Sequence, residues 1–151
     1  MTLMSVEQSY LAAQRLGRLA TVAPDGSPQN KPVGFSYNAE LGTIDIYGFN
    51  MGQSAKFRNV QANPSVALVV DDTFAEGSAG VRFLEIRGLA EAAAGQVPPE
   101  ASLSRLIIRI RPRRVISWNI DPGRPGLQAR DIGADSARPD SARPETDART
   151  P

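Results

Sequence analysis

Apolar and polar positions along most of the chain repeat with the period of a strand rather than that of a helix. Arg18 to Ala23 and Pro28 to Tyr37 are two strand-like runs joined by Pro24-Asp25-Gly26-Ser27, a strong turn signal, so they predict a hairpin. After the turn Asn38-Ala39-Glu40-Leu41-Gly42, Thr43 to Phe49 alternates again as a third strand. Ser65 to Val70 is nearly all apolar, which predicts a strand buried on both faces. Val81 to Ala92 is a longer strand with Gly88 as a bulge, and Leu103 to Trp118 holds the last strand, broken at Pro112. Two stretches read as short helices. Ser5-Val6-Glu7-Gln8 has the capping-box pattern, with Ser5 as cap and Gly17 as the residue past the helix end. Ser54 caps a second helix that stops at Asn63-Pro64, because the residue before proline resists the helical conformation. Roughly six short strands with short helices predict a mostly β domain, a closed or partly closed barrel.

The pattern fails after Asp121. The last residues repeat Asp-Ser-Ala-Arg-Pro at Asp135–Pro139 and again at Asp140–Pro144, and the only apolar residues after Ile132 are alanines and prolines. Such a segment cannot bury a core. The expected organisation is a folded domain over residues 1–120 and a disordered low-complexity tail over 121–151.

Composition narrows the chemistry. The chain of 151 residues carries a net charge of +1, which does not point to nucleic acid. It holds no cysteine and no histidine, so thiol catalysis, thiolate or histidine metal sites and serine–histidine hydrolysis are excluded. No apolar run approaches the roughly 20 residues of a membrane helix. Met1-Thr2-Leu3-Met4 opens without the cationic and apolar regions of an export signal, so a cytoplasmic protein is expected. Asp71-Asp72 has no third ligand in view and reads as turn chemistry rather than a metal site.

The stretch Tyr47 to Val60 is the most suggestive. It runs from strand through turn to helix, and a helix N-terminus offers free N–H groups and a partial positive charge. Ser54 adds a hydroxyl there, Lys56 an ammonium and Arg58 a guanidinium, which together suit a phosphate. An ordinary capped surface helix with scattered cations fits the same residues. Pro32 and Gly34 are odd inside a strand, and suit either a bend or a place where a ligand approaches the backbone. Arg105, Arg109, Arg111 and Arg113 share one parity, as a solvated outer face or as a basic rim for an anionic tail. Trp118, the only tryptophan, reads as a core plug or interface anchor.

Four motifs in order resemble the pyridoxamine 5′-phosphate oxidase-like split-barrel family, in its coenzyme F420-dependent branch. Leu16-Gly17-Arg18-Leu19-Ala20-Thr21-Val22 with Asp25-Gly26-Ser27-Pro28 is similar to the opening hairpin. Lys56-Phe57-Arg58-Asn59-Val60, Asn63-Pro64 and Val66-Ala67-Leu68-Val69 resemble the cofactor-phosphate helix and the strand after it. Glu85-Ile86-Arg87-Gly88-Leu89-Ala90 resembles the fifth strand, and Arg111-Pro112-Arg113-Arg114-Val115 with Trp118 the last one. Where the oxidase itself carries an FMN-binding arginine–lysine pattern, this chain has Gln29-Asn30-Lys31-Pro32-Val33.

The resemblance implies a six-stranded split barrel that works as a homodimer, with F420, or alternatively FMN, in a groove between subunits. It implies ring contacts near Lys31, Pro32, Val33, Tyr47, Gly48 and Phe49, and phosphate contacts near Ser54, Lys56 and Arg58. Arg87 and Trp118 of the second subunit would close the site. The implied activity is hydride transfer from reduced cofactor to a conjugated small molecule, the cofactor carrying the reactivity. A binding or carrier protein without turnover, or a dimerisation module with a vestigial groove, shares the same fold.

Overall fold

A computed structural model describes residues 3–133. Helix α1 spans Ser5–Ala12 and α2 spans Ala55–Ala62. The strands are β1 Leu16–Val22, β2 Pro28–Asn38, β3 Thr43–Tyr47, β4 Ser65–Thr73, β5 Val81–Ala93, β6 Ile107–Trp118 and β7 Leu127–Asp131. They pair in the order β3-β2-β1-β4-β5-β6-β7, every pair antiparallel, and β3 also pairs with β6. Strands β1 to β6 therefore close a six-stranded barrel. The two halves of β6 have different neighbours: Ile108–Ile110 pair with β3, and Arg114–Trp118 pair with β7.

Alternation puts one face of each strand inside. Leu19, Val33, Ile44, Ile46, Leu68, Val70, Leu84, Ile86, Ile108 and Ile110 fill the barrel and are nearly free of solvent. The expectation for β4 is corrected here. Val66, Leu68 and Val70 face the core, but Ala67 and Val69 between them lie on the outer face and are only half-buried. A barrel strand has one covered side, so an all-apolar run does not imply two.

Strand β6 runs unbroken through Pro112. The irregularity lies one residue on, where Arg87 faces Arg114 but Gly88 faces Pro112, leaving Arg113 unpaired. This bulge flips the parity of β6: Ile108, Ile110 and Pro112 are buried before it, Val115 and Ser117 after it. Arg109 and Arg111 share the outer face of β6 as expected, but Arg105 precedes the strand, Arg113 sits in the bulge, and neither Arg109 nor Arg111 is a free cation. Arg109 is buried, with Nε and Nη2 donating to the two carboxylate oxygens of Asp45 at 2.9 and 3.0 Å, and Nη2 also donating to Gln96 Oε1 at 3.0 Å. Arg111 is exposed and pairs with Glu91. Gly88 is required at the bulge because a Cβ there would stand 2.3 Å from the Arg111 carbonyl oxygen.

Helix α1 starts one residue earlier than its sequence suggests. Met4 is the N-cap, and its N–H donates to the Glu7 carboxylate at 2.8 Å, while Gln8 Nε2 donates back to the Leu3 carbonyl. Gly17 is not a helix terminator but a residue of β1, where Leu68 Cδ1 leaves no room for a side chain. The helix is pinned by Tyr10, whose hydroxyl donates to Asp72 Oδ1 at 2.9 Å, and by Gln14, which donates to Asp72 Oδ2. Arg82 grips the same carboxylate at 2.7 and 2.9 Å and lies over the Tyr10 ring. The adjacent aspartates thus serve as ion-pair partners, Asp71 taking Arg18. Burial, and then the Asp72 hydrogen bond, raise the Tyr10 phenol above its ordinary pKa.

The folded body also extends past residue 120. Strand β7 lies inside the segment expected to be a tail, and it forms because β6 offers an open edge beyond its pairing with β3. Arg130 of β7 donates to the buried Glu7 carboxylate of α1, tying the two ends of the described chain together. The Asp-Ser-Ala-Arg-Pro repeat lies outside the described residues.

Two outcomes test these packing assignments. Gly88→Ala should lose about 1–3 kcal/mol in denaturant unfolding, since backbone must move to admit the methyl, whereas Gly34→Ala, with open space at its Cβ, should change little. The Arg82 hydrogen bonds hold the Asp72 carboxyl at about 2, below its ordinary value. That stabilises the fold fully above pH about 4 and is lost as pH falls toward 2. Allowing for solvent, Asp72→Asn should be less stable by about 1 kcal/mol at pH 7, with the difference shrinking on the acid limb. A pH-independent difference would contradict the assignment.

Candidate functional site

The strand-turn-helix stretch becomes β3, a 3-10 turn over Met51–Gln53, and α2. Ser54 caps α2 as its sequence predicts: Oγ accepts the Phe57 N–H at 3.3 Å. The same hydroxyl donates to the Met51 carbonyl at 2.7 Å, so its proton is already committed. The groups of the first turn not taken up by Ser54 are the Ala55 and Lys56 N–H. Arg58 Nη1 folds back to the Gln53 carbonyl at 2.7 Å, which keeps its guanidinium beside the helix start.

Helix α2 is fixed to the barrel by Asn59. Its amide donates to Thr21 Oγ1 at 3.0 Å on β1 and to Gln29 Oε1 at 2.9 Å on β2. Sequence reading missed this residue as a tether, although its place one helical turn after Lys56 was visible. The tether brings Lys56 toward Lys31, which is two residues after Gln29 on the same side of β2. Burial, and then the Lys31 charge, pull the Lys56 ammonium below its ordinary pKa. Among the described residues neither lysine makes an ion pair. They are the only two lysines of the chain, and the Lys31 charge reaches Lys56 with no acid paired to either among the described residues. Two like charges, one of them half-buried, suit an anion that would relieve both.

Beside them lies a bare strip of strand. Asn30, Pro32 and Gly34 point outward from β2, opposite Ala20, Arg18 and Leu16 of β1, while Val33 points into the core. Gly34 faces Tyr47 across the β2–β3 pair, and a Cβ on Gly34 would touch nothing within 4 Å. Gly48 is half-buried against Met51, and Phe49 is 77% exposed at the end of the strip. The strip is open and lies on the face of β2 opposite to Lys31, with Asn30 and Arg18 on it beside Pro32 and Gly34. The strip leaves backbone accessible to a ligand, and the lysines near the start of α2 carry charge that suits a phosphate.

Arg87 and Trp118 do not join this cluster. Arg87 faces Ala67 on β4, which faces Ala20 on β1, which faces Asn30 on β2. Three strand spacings, about 14 Å, separate it from the strip. Its guanidinium is held by Glu85 at 2.7 Å. Trp118 lies farther along β6, between Phe83 and Leu127, and is 36% exposed. Between these residues and the strip, the outer sheet face sinks into a shallow cavity of about 440 Å3 floored by Ala20, Ala67 and Gly88 and rimmed by Arg87 and Arg113. Among the described residues, no helix is long and apolar enough to cross a membrane.

Known proteins place this arrangement. A curated relative, the 5a,11a-dehydrotetracycline/5a,11a-dehydrooxytetracycline reductase of Streptomyces rimosus, is 45% identical over 131 residues, which is 85% of this chain and 92% of the relative. A solved F420 reductase is 30% identical with a TM-score of 0.55, over 72% of this chain and 94% of its own. A conserved hypothetical protein from Mycobacterium tuberculosis, 20% identical, shares the fold with a TM-score of 0.63 over 91% of this chain and 96% of its own. The family model described as pyridoxamine 5′-phosphate oxidase matches residues 6–132, from α1 through β7. The chain, with its closed six-stranded barrel and added seventh strand, belongs to the pyridoxamine 5′-phosphate oxidase family.

Proposed function

We propose that this protein is an oxidoreductase that binds reduced coenzyme F420 and passes a hydride to a conjugated small-molecule substrate. The observation that carries the reading is the Asn59 tether, which fixes α2 to β1 and β2 and so holds Lys56, at the helix start, toward Lys31. The named activity of the 45% identical relative supports a reductase, and the 30% identical F420 reductase favours the deazaflavin over FMN. The arginines of β6 lend the deazaflavin no further support, because Arg109 and Arg111 are already paired with acids.

When bound, the cofactor supplies the hydride. The chain's own residues hold and orient. Lys56 and the Ala55 and Lys56 N–H groups receive the phosphate at the start of α2, with Arg58 alongside. Ser54 contributes by shaping the cap. Lys31 would contribute a second cation toward the cofactor, and the backbone of Pro32 and Val33 would be among the groups that hold its ring. Tyr47, Gly48 and Phe49 border it. The Tyr47 hydroxyl is the phenol nearest the strip and the proton donor this reading favours over water.

The chain provides this half of the site only. Arg87 and Trp118 enter the same reading as residues of a second copy, laid against the alanine-floored outer face. A homodimer with two such sites, acting in the cytoplasm on a small molecule rather than on nucleic acid or a membrane, completes the proposal. The cofactor-binding domain then includes β7, past the boundary at residue 120 that the sequence suggests.

Equilibrium titration with F420 and FMN tests the reading. F420 should bind more tightly, and Lys56→Ala should weaken it by about 1.5–3 kcal/mol. The same substitution should leave the cofactor-free protein at least as stable as wild type at pH 7. A base whose pKa is depressed by folding destabilises the fold while charged, so removing the charge costs nothing. Unchanged affinity, or a fall in stability that accounts for the loss, would remove Lys56 from the site.

A further inference from the structure

Strand β2 outruns its neighbour. Its pairing with β1 ends where Gly34 meets Leu16, but β2 continues to Asn38. From Phe35 onward the edge that β1 would cover is unpaired, and α1 lies beside it. Between them is a cavity of about 520 Å3, the size of a small-molecule compartment. It begins one residue beyond Gly34, where the bare strip ends.

The lining has a definite chemistry. Leu11, Ala12 and Phe35 give it apolar walls, and no charged side chain lines it. Gln8 and Gln14 turn their amide nitrogens to the protein, toward the Leu3 carbonyl and Asp72. Among the described residues nothing donates to either carboxamide oxygen, so both remain as acceptors. The exposed backbone edge of β2 adds further hydrogen-bonding groups. Carboxamide acceptors and hydroxyls beside apolar walls suit a molecule that carries hydroxyl or amide groups, and no cation lines the cavity to pair with an anionic one.

We propose that the α1–β2 cavity is the substrate compartment and that it takes a small molecule recognised through hydroxyl or amide donors. This rests on the cofactor reading for its catalytic meaning. Such a molecule would lie end-on to a ring held along Pro32–Gly34, with Ser36 and Tyr37 among the residues that line its cavity.

Oxytetracycline is a suitable probe, fluorescent and rich in hydroxyl donors, and F420 is titrated in parallel on the same full-length proteins. Ala12 is exposed and lines the cavity, so Ala12→Trp fills it without touching the core, and Ala13→Trp, just outside, is the control. Ala12→Trp should weaken oxytetracycline at least about tenfold, Ala13→Trp should match wild type, and all three should bind F420 equally. Gln8→Met, which keeps length and removes the acceptor, should weaken oxytetracycline about fivefold. Equal probe binding by Ala12→Trp and Ala13→Trp, or no binding by wild type at millimolar probe, would overturn the compartment. Unchanged binding by Gln8→Met would overturn hydroxyl recognition. If no protein binds F420 but Ala12→Trp still excludes the probe, the cofactor reading fails and the compartment stands.

Discussion

The barrel closes on three residue pairs, Ile44 with Ile110, Asp45 with Arg109, and Ile46 with Ile108. Four of the six side chains are isoleucines with no exposed surface. The other two form a buried, two-pronged ion pair on the opposite face of the seam. Thr43 Oγ1 and Asn38 Nδ2 donate to the same carboxylate, and Gln96 accepts from the guanidinium, so both charges are hydrogen-bonded beyond each other. A buried pair of this kind does little for stability relative to apolar residues, but leaving either partner alone is costly, so it fixes register. A slip of one residue would set an isoleucine against a charge and turn the core face outward.

That register decides where the site lies. It ends β3 at Tyr47, opposite Gly34, and leaves the following turn and α2 to cap the barrel opening. Asn59 then locks α2 to β1 and β2, and Lys56 meets Lys31 as a consequence. The repulsion in this pair is a local cost that the rest of the fold carries, as expected of a place built to receive an anion. The seam also uses only half of β6. The free half takes β7, and β7 holds α1 through Arg130 and Glu7, so the wall of the α1–β2 cavity depends on the same division.

Much of this was legible in the sequence because it is local. Pro24-Asp25-Gly26-Ser27, Ser54 and Asn63-Pro64 fix a hairpin and a helix by their own conformational preferences, and Gly88 marks the bulge. The fall in affinity expected for Lys56→Ala could have been written from the sequence alone. What escaped was non-local. Arg109 shares parity with Arg105 and Arg111, but its partner Asp45 lies far away in sequence, and the bulge at Arg113 resets the parity that the pattern assumed. Leu127–Asp131 looks like tail because its stability comes from the edge of β6 rather than from its own residues. Ser54 was legible as a cap, but not that capping would occupy its hydroxyl. Arg87 stands three strands from the β2 strip and Trp118 lies farther along β6, and in the proposed dimer they would belong to the half of the groove that the second copy supplies.

That division is the central claim, and mixed dimers test it most directly. A Lys56→Ala chain and an Arg87→Ala, Trp118→Ala chain, each weakened for F420 alone, are co-expressed, allowed to exchange and titrated at an F420 concentration that fills wild type but neither parent. Each mixed dimer joins one intact cradle to one intact closing face, and random pairing makes about half of the dimers mixed. The account predicts that F420 binding returns at about a quarter of the wild-type number of sites. No recovery above the two parent proteins, with mixed dimers demonstrably formed, would contradict it.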